Sequence, residues 1–217
     1  MSFKRNAAAA WVDLGQYILL SARYFFDQEA LNMRWRNSTE GYGAIPQTMH
    51  WITVAAVILA WFLGQFDDIF PKGAARAASL YVHSSAGLAV ICILVLRLFW
   101  RLADPPPPIE RTILGAWLDR AGRLAHYALY ALLLAAPISG IVLQFARGDA
   151  LPVFGLTEIA SPWTADRAFA RSVKEIHEMM ANALVILAAF HAAAALVHHW
   201  VLRDRTLVRM LPLAWRS

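Results

Sequence analysis

The sequence predicts an all-α integral membrane protein, a four-helix bundle preceded by an extra amphipathic helix. Three observations predict it. The 217 residues are 59% hydrophobic and only 16% charged, whereas a soluble domain carries about a quarter charged residues. The apolar residues fall in four blocks, each long enough for the roughly 20 residues that a bilayer crossing needs. No alternating strand pattern appears between them, and a backbone in lipid must satisfy its own hydrogen bonds, as a helix does locally.

The elements follow in order. In residues 7–31, Trp11, Leu14, Ile18, Ala22 and Phe25 recur at helical spacing, with Asp13, Gln16, Arg23 and Asp27 largely on the other side. This pattern predicts an amphipathic helix lying on the cytoplasmic membrane face or docking on another subunit. The first spanning block begins at Met49 with "MHWITVAAVILAWFLGQF", the second runs from Ala77 to Trp100, the third from Leu124 to Ala146 and the fourth from Ile176 to Leu202. Pro137 interrupts the third, and "DPPPP" forms a stiff turn after the second. The chain thus divides into an N-terminal extension (1–45), a bundle domain (46–212) and a short tail (213–217).

Charge sets the expected orientation. Most of the 20 Lys and Arg residues lie in the N-terminal segment, between Arg97 and Arg123, or in the C-terminal tail. The positive-inside rule then places both termini and the Pro-rich loop in the cytoplasm. The net charge of +5 flanks apolar blocks instead of forming one patch, which argues against a nucleic-acid partner. Cys92 is the single cysteine, so an internal disulfide, a Cys-based zinc site and C-x-x-C-H haem attachment are excluded. No signal-peptide pattern opens the sequence.

Five histidines fall at two depths. His50 opens the first block and His126 the third, both near the cytoplasmic side. His83 lies about two turns into the second, near the outer side, and His177 opens the fourth there. His191 follows His177 by about four turns, which keeps it on the same helix face roughly 21 Å deeper. Depth therefore pairs His83 with His177 outside and His50 with His191 inside. Two imidazole pairs stacked across a bundle interior suit two haem irons, each held from two helices. Zinc or copper would instead want three or four ligands gathered at one depth.

Other residues match these depths. Arg97 follows His83 by the same step, where a haem propionate is a natural partner for a cation in the membrane; snorkelling to headgroups is the other reading. Gly140 follows His126 by that step as well, and Gly87 lies one turn after His83. At both positions a flat macrocycle can approach the backbone. His126, His198 and His199 lie near the inner edge, either beside a haem edge, where an imidazole can hydrogen-bond and shuttle a proton, or among lipid headgroups.

The stretches "MHW" (49–51), "YVHSSAG" (81–87), "VLRLFWRL" (95–102), "AHYALYALLLAAPISG" (125–140), "VKEIHEMMAN" (173–182) and "FHAAAALVHHWVLRDRTLVRMLP" (190–212) resemble the bacterial cytochrome b561 family, which includes the superoxide oxidases of enterobacteria. The resemblance implies a multi-pass protein of the bacterial inner membrane carrying two b haems, with His50, His83, His177 and His191 as ligands. It also implies electron transfer to ubiquinone, with superoxide as donor in the oxidases. Arg171 and Lys174, within two turns of His177, would then draw a small anion to the outer haem. An electron-carrying anchor subunit of a larger redox complex is the alternative, docked through the N-terminal helix. A structural accessory subunit is the third reading.

Overall fold

Four helices form where the four apolar blocks lie, but each is longer than its block. The computed structural model describes residues 35–108 and 115–212. The predicted amphipathic helix and the tail after residue 212 lie outside the described residues. Helix α1 spans Ala44–Gln65, α2 Ala74–Ala103, α3 Ala116–Ala146 and α4 Arg167–Val197, the last continuing through a π turn, His198–Leu202. All four are long and apolar enough to cross a membrane. Hydropathy registers only the lipid-immersed stretch, so α3 starts two turns before its block and α4 more than two. The added turns carry Arg120, Arg123, Arg167, Arg171 and Lys174, which suit the headgroup region.

Local chemistry sets the ends. Asp166 caps α4, its side chain accepting from the backbone N–H groups of Ala168 and Phe169, each at 3.0 Å. Pro137 lies inside α3, where it removes the N–H that would bond the Leu133 carbonyl. Between α3 and α4 is a short antiparallel hairpin, β1 (Leu151–Val153) with β2 (Thr157–Ile159). The sequence pattern does not announce it, because three-residue strands are too short to alternate visibly. Residues 154–156 turn it, with φ of 51° at Phe154 and 76° at Gly155, the two positive angles of a type I′ turn. A side chain at Gly155 would strike the Tyr81 hydroxyl of α2 at 2.5 Å, so the turn sits tightly on the bundle.

Helix α1 packs chiefly on α2, and α3 on α4. A seven-residue step runs through all four helices and divides the interior into three levels. The outer level, at the hairpin end, holds Gly64, His83, Gly140 and His177. The middle level holds Val57, Val90, Leu133 and Leu184, and the inner level His50, Arg97, His126 and His191. Seven residues are nearly two turns, so each trio stays on one helix face. Val90, Leu133 and Leu184 are buried with Leu94 as the core, and Val57 packs against them. Large apolar side chains such as Phe190 (70% exposed) point outward, as lipid-facing residues do. The result is a membrane bundle whose polar groups lie at two levels, separated by an apolar layer.

The inner end is laced by polar side chains. Buried Gln47 donates to the Tyr42 carbonyl at 3.0 Å and the Arg209 carbonyl at 3.1 Å. Trp51 donates to the Met210 carbonyl at 2.9 Å, and Arg209 to the Pro108 carbonyl at 2.8 Å. The Asn37 backbone N–H donates to the Asp104 carboxylate at 2.8 Å, and its side-chain amide to the Asp104 carbonyl at 3.0 Å. These bonds fasten the irregular segment before α1, the Pro-rich loop and the C-terminal turn together.

Leu184→Ala is expected to cost about 2–4 kcal/mol through the cavity it leaves in the middle level. Phe190→Ala, on the lipid face, should stay within about 0.5 kcal/mol. Thermal unfolding of the two purified variants in one detergent would check the ordering.

Candidate functional site

At the outer level the rings of His83 and His177 meet, with centroids 6.0 Å apart and planes at 81°. Each ring rests in the same kind of notch on a neighbouring helix. His83 Nδ1 lies 2.7 Å from the Ala60 carbonyl of α1, and His177 Nδ1 lies 2.9 Å from the Ala136 carbonyl of α3. Both carbonyls are already helix acceptors, and the residue four positions on is a glycine in each case, Gly64 and Gly140. A Cβ there would lie 2.9 Å from His83 Cε1 and 3.1 Å from His177 Cε1. Only a bare backbone leaves the carbonyl's second lone pair within reach of an imidazole. Gly140 thus stands directly beside the His177 ring. Gly87 faces Pro137 at 3.8 Å and meets neither ring.

The notch decides the tautomer. With Nδ1–H donated to a carbonyl, each Nε2 keeps a free lone pair, the usual state of a metal-ligating histidine. Ser139 reinforces it at His177, donating to the Ala136 carbonyl at 2.7 Å while lying 3.0 Å from His177 Nδ1. An iron between two imidazoles, with bonds of about 2 Å and ring radii of about 1.1 Å, sets centroids roughly 6 Å apart. The outer level therefore suits a bis-imidazole haem iron in donor chemistry, tautomer and spacing.

The inner level is built differently. The ring that contacts His191 is His126, with centroids 5.0 Å apart and planes at 74°. His50 lies within electrostatic reach of Arg97, His191 and His126, but no ring contact joins it to His191 among the described residues. The reason is packing: α3 and α4 lie against each other along their length, while α1 and α4 touch less. Arg97 stands over the Tyr130 ring at 5.8 Å. Tyr42, beyond the start of α1, faces Arg101, Tyr130, Arg209 and Arg97. Burial pushes its phenol above the ordinary value, against the pull of the guanidiniums, so it remains a donor.

His198 and Asp204 form a pair that sequence spacing did not suggest. The π turn and left-handed Arg203 (φ 55°) reverse the chain and bring the Asp204 carboxylate 2.5 Å from His198 Nδ1. Partial burial raises the Asp204 carboxyl, but bonds from His198 and Thr206 outweigh it and hold it below its ordinary 3.8. With a lowered folded value, its contribution is present above about pH 4 and is lost as the pH falls through that folded value. Among the described residues, the ring that His199 meets is Trp200.

At the outer surface Arg147, Arg167, Arg171 and Lys174 line an open cleft of about 340 Å³. Lys174 pairs with Glu178 at 3.2 Å, and the three arginines have no acidic partner among the described residues. Arg147 lies within electrostatic reach of His177, so the cleft stands over the outer histidine level. Gly64, Ser139, Arg147, Arg167 and Asp204 are the residues that sequence reasoning missed. The four-turn step that links His177 to His191, taken from His50, lands on Gly64 and would have found it.

The profile of the prokaryotic cytochrome b561 family matches residues 41–213. A Yersinia pestis protein named probable superoxide oxidase CybB is 31% identical over 175 residues, covering 79% of this chain and 96% of the relative. In Escherichia coli (strain K12), cytochrome b561 homolog 1 is 34% identical over 171 residues, covering 76% of this chain and 93% of the relative. Cytochrome b561 homolog 2 of the same strain is 32% identical over 187 residues, covering 82% and 95%.

Gly64→Ala is expected to push the His83 ring off the Ala60 carbonyl and to lower haem content per purified chain. Gly140→Ala, with the looser contact, should lower it less. Pyridine haemochrome assay against protein concentration checks both.

Proposed function

The chain belongs to the prokaryotic cytochrome b561 family of membrane electron-transfer proteins, and from that membership we propose a two-haem cytochrome that carries electrons from an outer donor to a membrane quinone. The observation that carries this reading is the pair of histidine levels on α4, with the outer rings at haem-iron spacing. In it, His83 and His177 hold the outer haem, and His50 and His191 the inner. When bound, b haem supplies a one-electron carrier whose potential the surrounding groups tune.

The chain's own residues have the following parts. The notches at Ala60 and Ala136 hold the outer imidazoles in the ligating tautomer. The apolar middle level keeps water out between the two polar levels. Arg97, at membrane depth, offers its guanidinium to a propionate, which balances a charge that would otherwise be costly. His198, oriented by Asp204 through Nδ1, presents Nε2 at the inner end, where it can take up a proton and pass it to a reduced quinone. Both termini and this proton-donating end face the cytoplasm by the positive-inside rule.

Superoxide is the donor this reading favours. The cleft of Arg147, Arg167, Arg171 and Lys174 concentrates a small anion beside the outer level, and one relative is named a probable superoxide oxidase. Two superoxide anions give two dioxygen molecules and two electrons, which with two protons convert one quinone to quinol. A second reading, an anchor cytochrome of a larger complex, draws on the strap at Asn37. Residues 35–40 precede the family match yet are fastened to the Pro-rich loop, so the extension leaves from a fixed point at the inner end.

The purified chain is expected to hold two haems and to reduce ubiquinone when supplied with superoxide. Arg171→Glu with Lys174→Glu should slow the reaction with superoxide about tenfold and flatten its salt dependence. Stopped-flow kinetics at several ionic strengths checks this. Wild-type rates no faster than spontaneous dismutation would reject the oxidase in favour of the anchor.

A further inference from the structure

The two outer rings rest in matching notches, but their acceptors differ, and the difference bears on Ser139. On α1 the notch is built from Ala60, Leu63 and Gly64, and on α3 from Ala136, Ser139 and Gly140 at the same spacing. Among the described residues, His83 Nδ1 meets one acceptor, the Ala60 carbonyl at 2.7 Å. His177 Nδ1 meets two, the Ala136 carbonyl at 2.9 Å and the Ser139 hydroxyl oxygen at 3.0 Å. Leu63, which stands on α1 where α3 has Ser139, is buried and apolar.

Lone pairs decide which group donates. A carbonyl has two, and in a helix one of them takes the N–H four residues on. His83 takes what remains at Ala60. At Ala136 two donors share what remains, His177 Nδ1–H and the Ser139 hydroxyl, which donates at 2.7 Å. With its proton so placed, the hydroxyl oxygen has a lone pair for the same Nδ1–H, and the imidazole proton sits in a three-centre bond. Donation to the carbonyl strengthens the hydroxyl as an acceptor, because hydrogen bonds in a chain polarise one another. Pro137 follows Ala136, so that carbonyl belongs to a tertiary amide, whose oxygen accepts more strongly than an ordinary peptide's. Back-bonding to the preceding turn is what a membrane-helix serine commonly does. It accounts for the 2.7 Å bond but not for an imidazole nitrogen 3.0 Å from the same oxygen.

We propose that Ser139 is a positioning residue that tunes the outer level: its hydroxyl oxygen is the second acceptor of the His177 Nδ1 proton and makes His177 the more electron-rich of the two outer rings. This role rests on the reading of His83 and His177 as ligands of the outer haem. A proton drawn toward two acceptors leaves more charge on Nε2, and a more basic ligand favours the oxidised metal. Ser139 thereby holds the outer midpoint potential down, from one side of the ring pair only.

The test uses the full chain in lipid nanodiscs, with haem content per chain and equilibrium redox titration as readouts. Ser139→Ala removes the second acceptor, and Ser139→Thr keeps the hydroxyl. Leu63→Ser places a hydroxyl at the corresponding position beside His83. The expected result is wild-type haem content in both Ser139 variants, with one midpoint raised in Ser139→Ala and returned toward wild type in Ser139→Thr. Leu63→Ser should lower that same midpoint, and the other midpoint should stay unmoved throughout. A structural serine would move neither. Midpoints unchanged or lowered in Ser139→Ala would overturn the role, as would a rise that Ser139→Thr does not reverse. Equal haem loss in the two Ser139 variants would overturn it too, since packing and not the hydroxyl would then matter. So would a Leu63→Ser shift confined to the other midpoint. A wild-type chain without haem would instead overturn the cytochrome reading on which the role rests.

Discussion

A buried imidazole must place its Nδ1 proton on an acceptor, and most of this structure follows from how that demand is met. Helix carbonyls are the most abundant acceptors in a membrane bundle, but side chains shield them. Glycine four residues past the carbonyl removes the shield. At Ala60/Gly64 and Ala136/Gly140 the bundle repeats this device on two antiparallel helix pairs, α1–α2 and α3–α4. The same contact fixes how closely each pair approaches, because the ring lies between the two backbones. Interhelical packing and ligand chemistry are thus one interaction at the outer level.

The seven-residue step carries that interaction through the membrane. Seven residues fall about 20° short of two full turns, so side chains three levels deep remain on nearly the same face. Leu133 and Leu184 sit midway between the polar positions of α3 and α4, and Val57 and Val90 do so on α1 and α2. Their burial supplies packing in a setting where lipid is as apolar as the core and contributes little drive to helix association. It also sets an apolar layer between the two histidine levels.

Much of this was legible in the sequence. The four spans follow from hydropathy, and the four-turn steps from His83, His126 and His177 are visible by counting. The step from His50 to Gly64 was equally countable, but a glycine near a helix end carries no signal until its partner is known. Helix ends were read short because arginines in the headgroup region lower hydropathy without ending a helix. The His198–Asp204 pair was hidden because it depends on a π turn and a left-handed Arg203, which sequence spacing does not encode. The contact of His126 with His191 was hidden for another reason. Depth gives the level of a residue but not its azimuth, and the closer packing of α3 on α4 than of α1 on α4 decided the neighbour.

The two ends of the bundle therefore differ in kind. Backbone satisfies the outer histidines, so little there can move without moving a helix. Side chains occupy the corresponding inner positions: His50 on α1 where the outer level has Gly64, and His126 on α3 where it has Gly140. Long side chains hold a geometry only if their surroundings are rigid, and among the described residues no hairpin covers the inner end. The lacing of Gln47, Trp51, Asn37 and Arg209 to carbonyls of Tyr42, Arg209, Met210, Asp104 and Pro108 supplies that rigidity. It draws on three segments far apart in sequence, each too short to fold alone. Their convergence beside Arg97, which Tyr42 faces, lets the inner level use side chains where the outer level uses backbone.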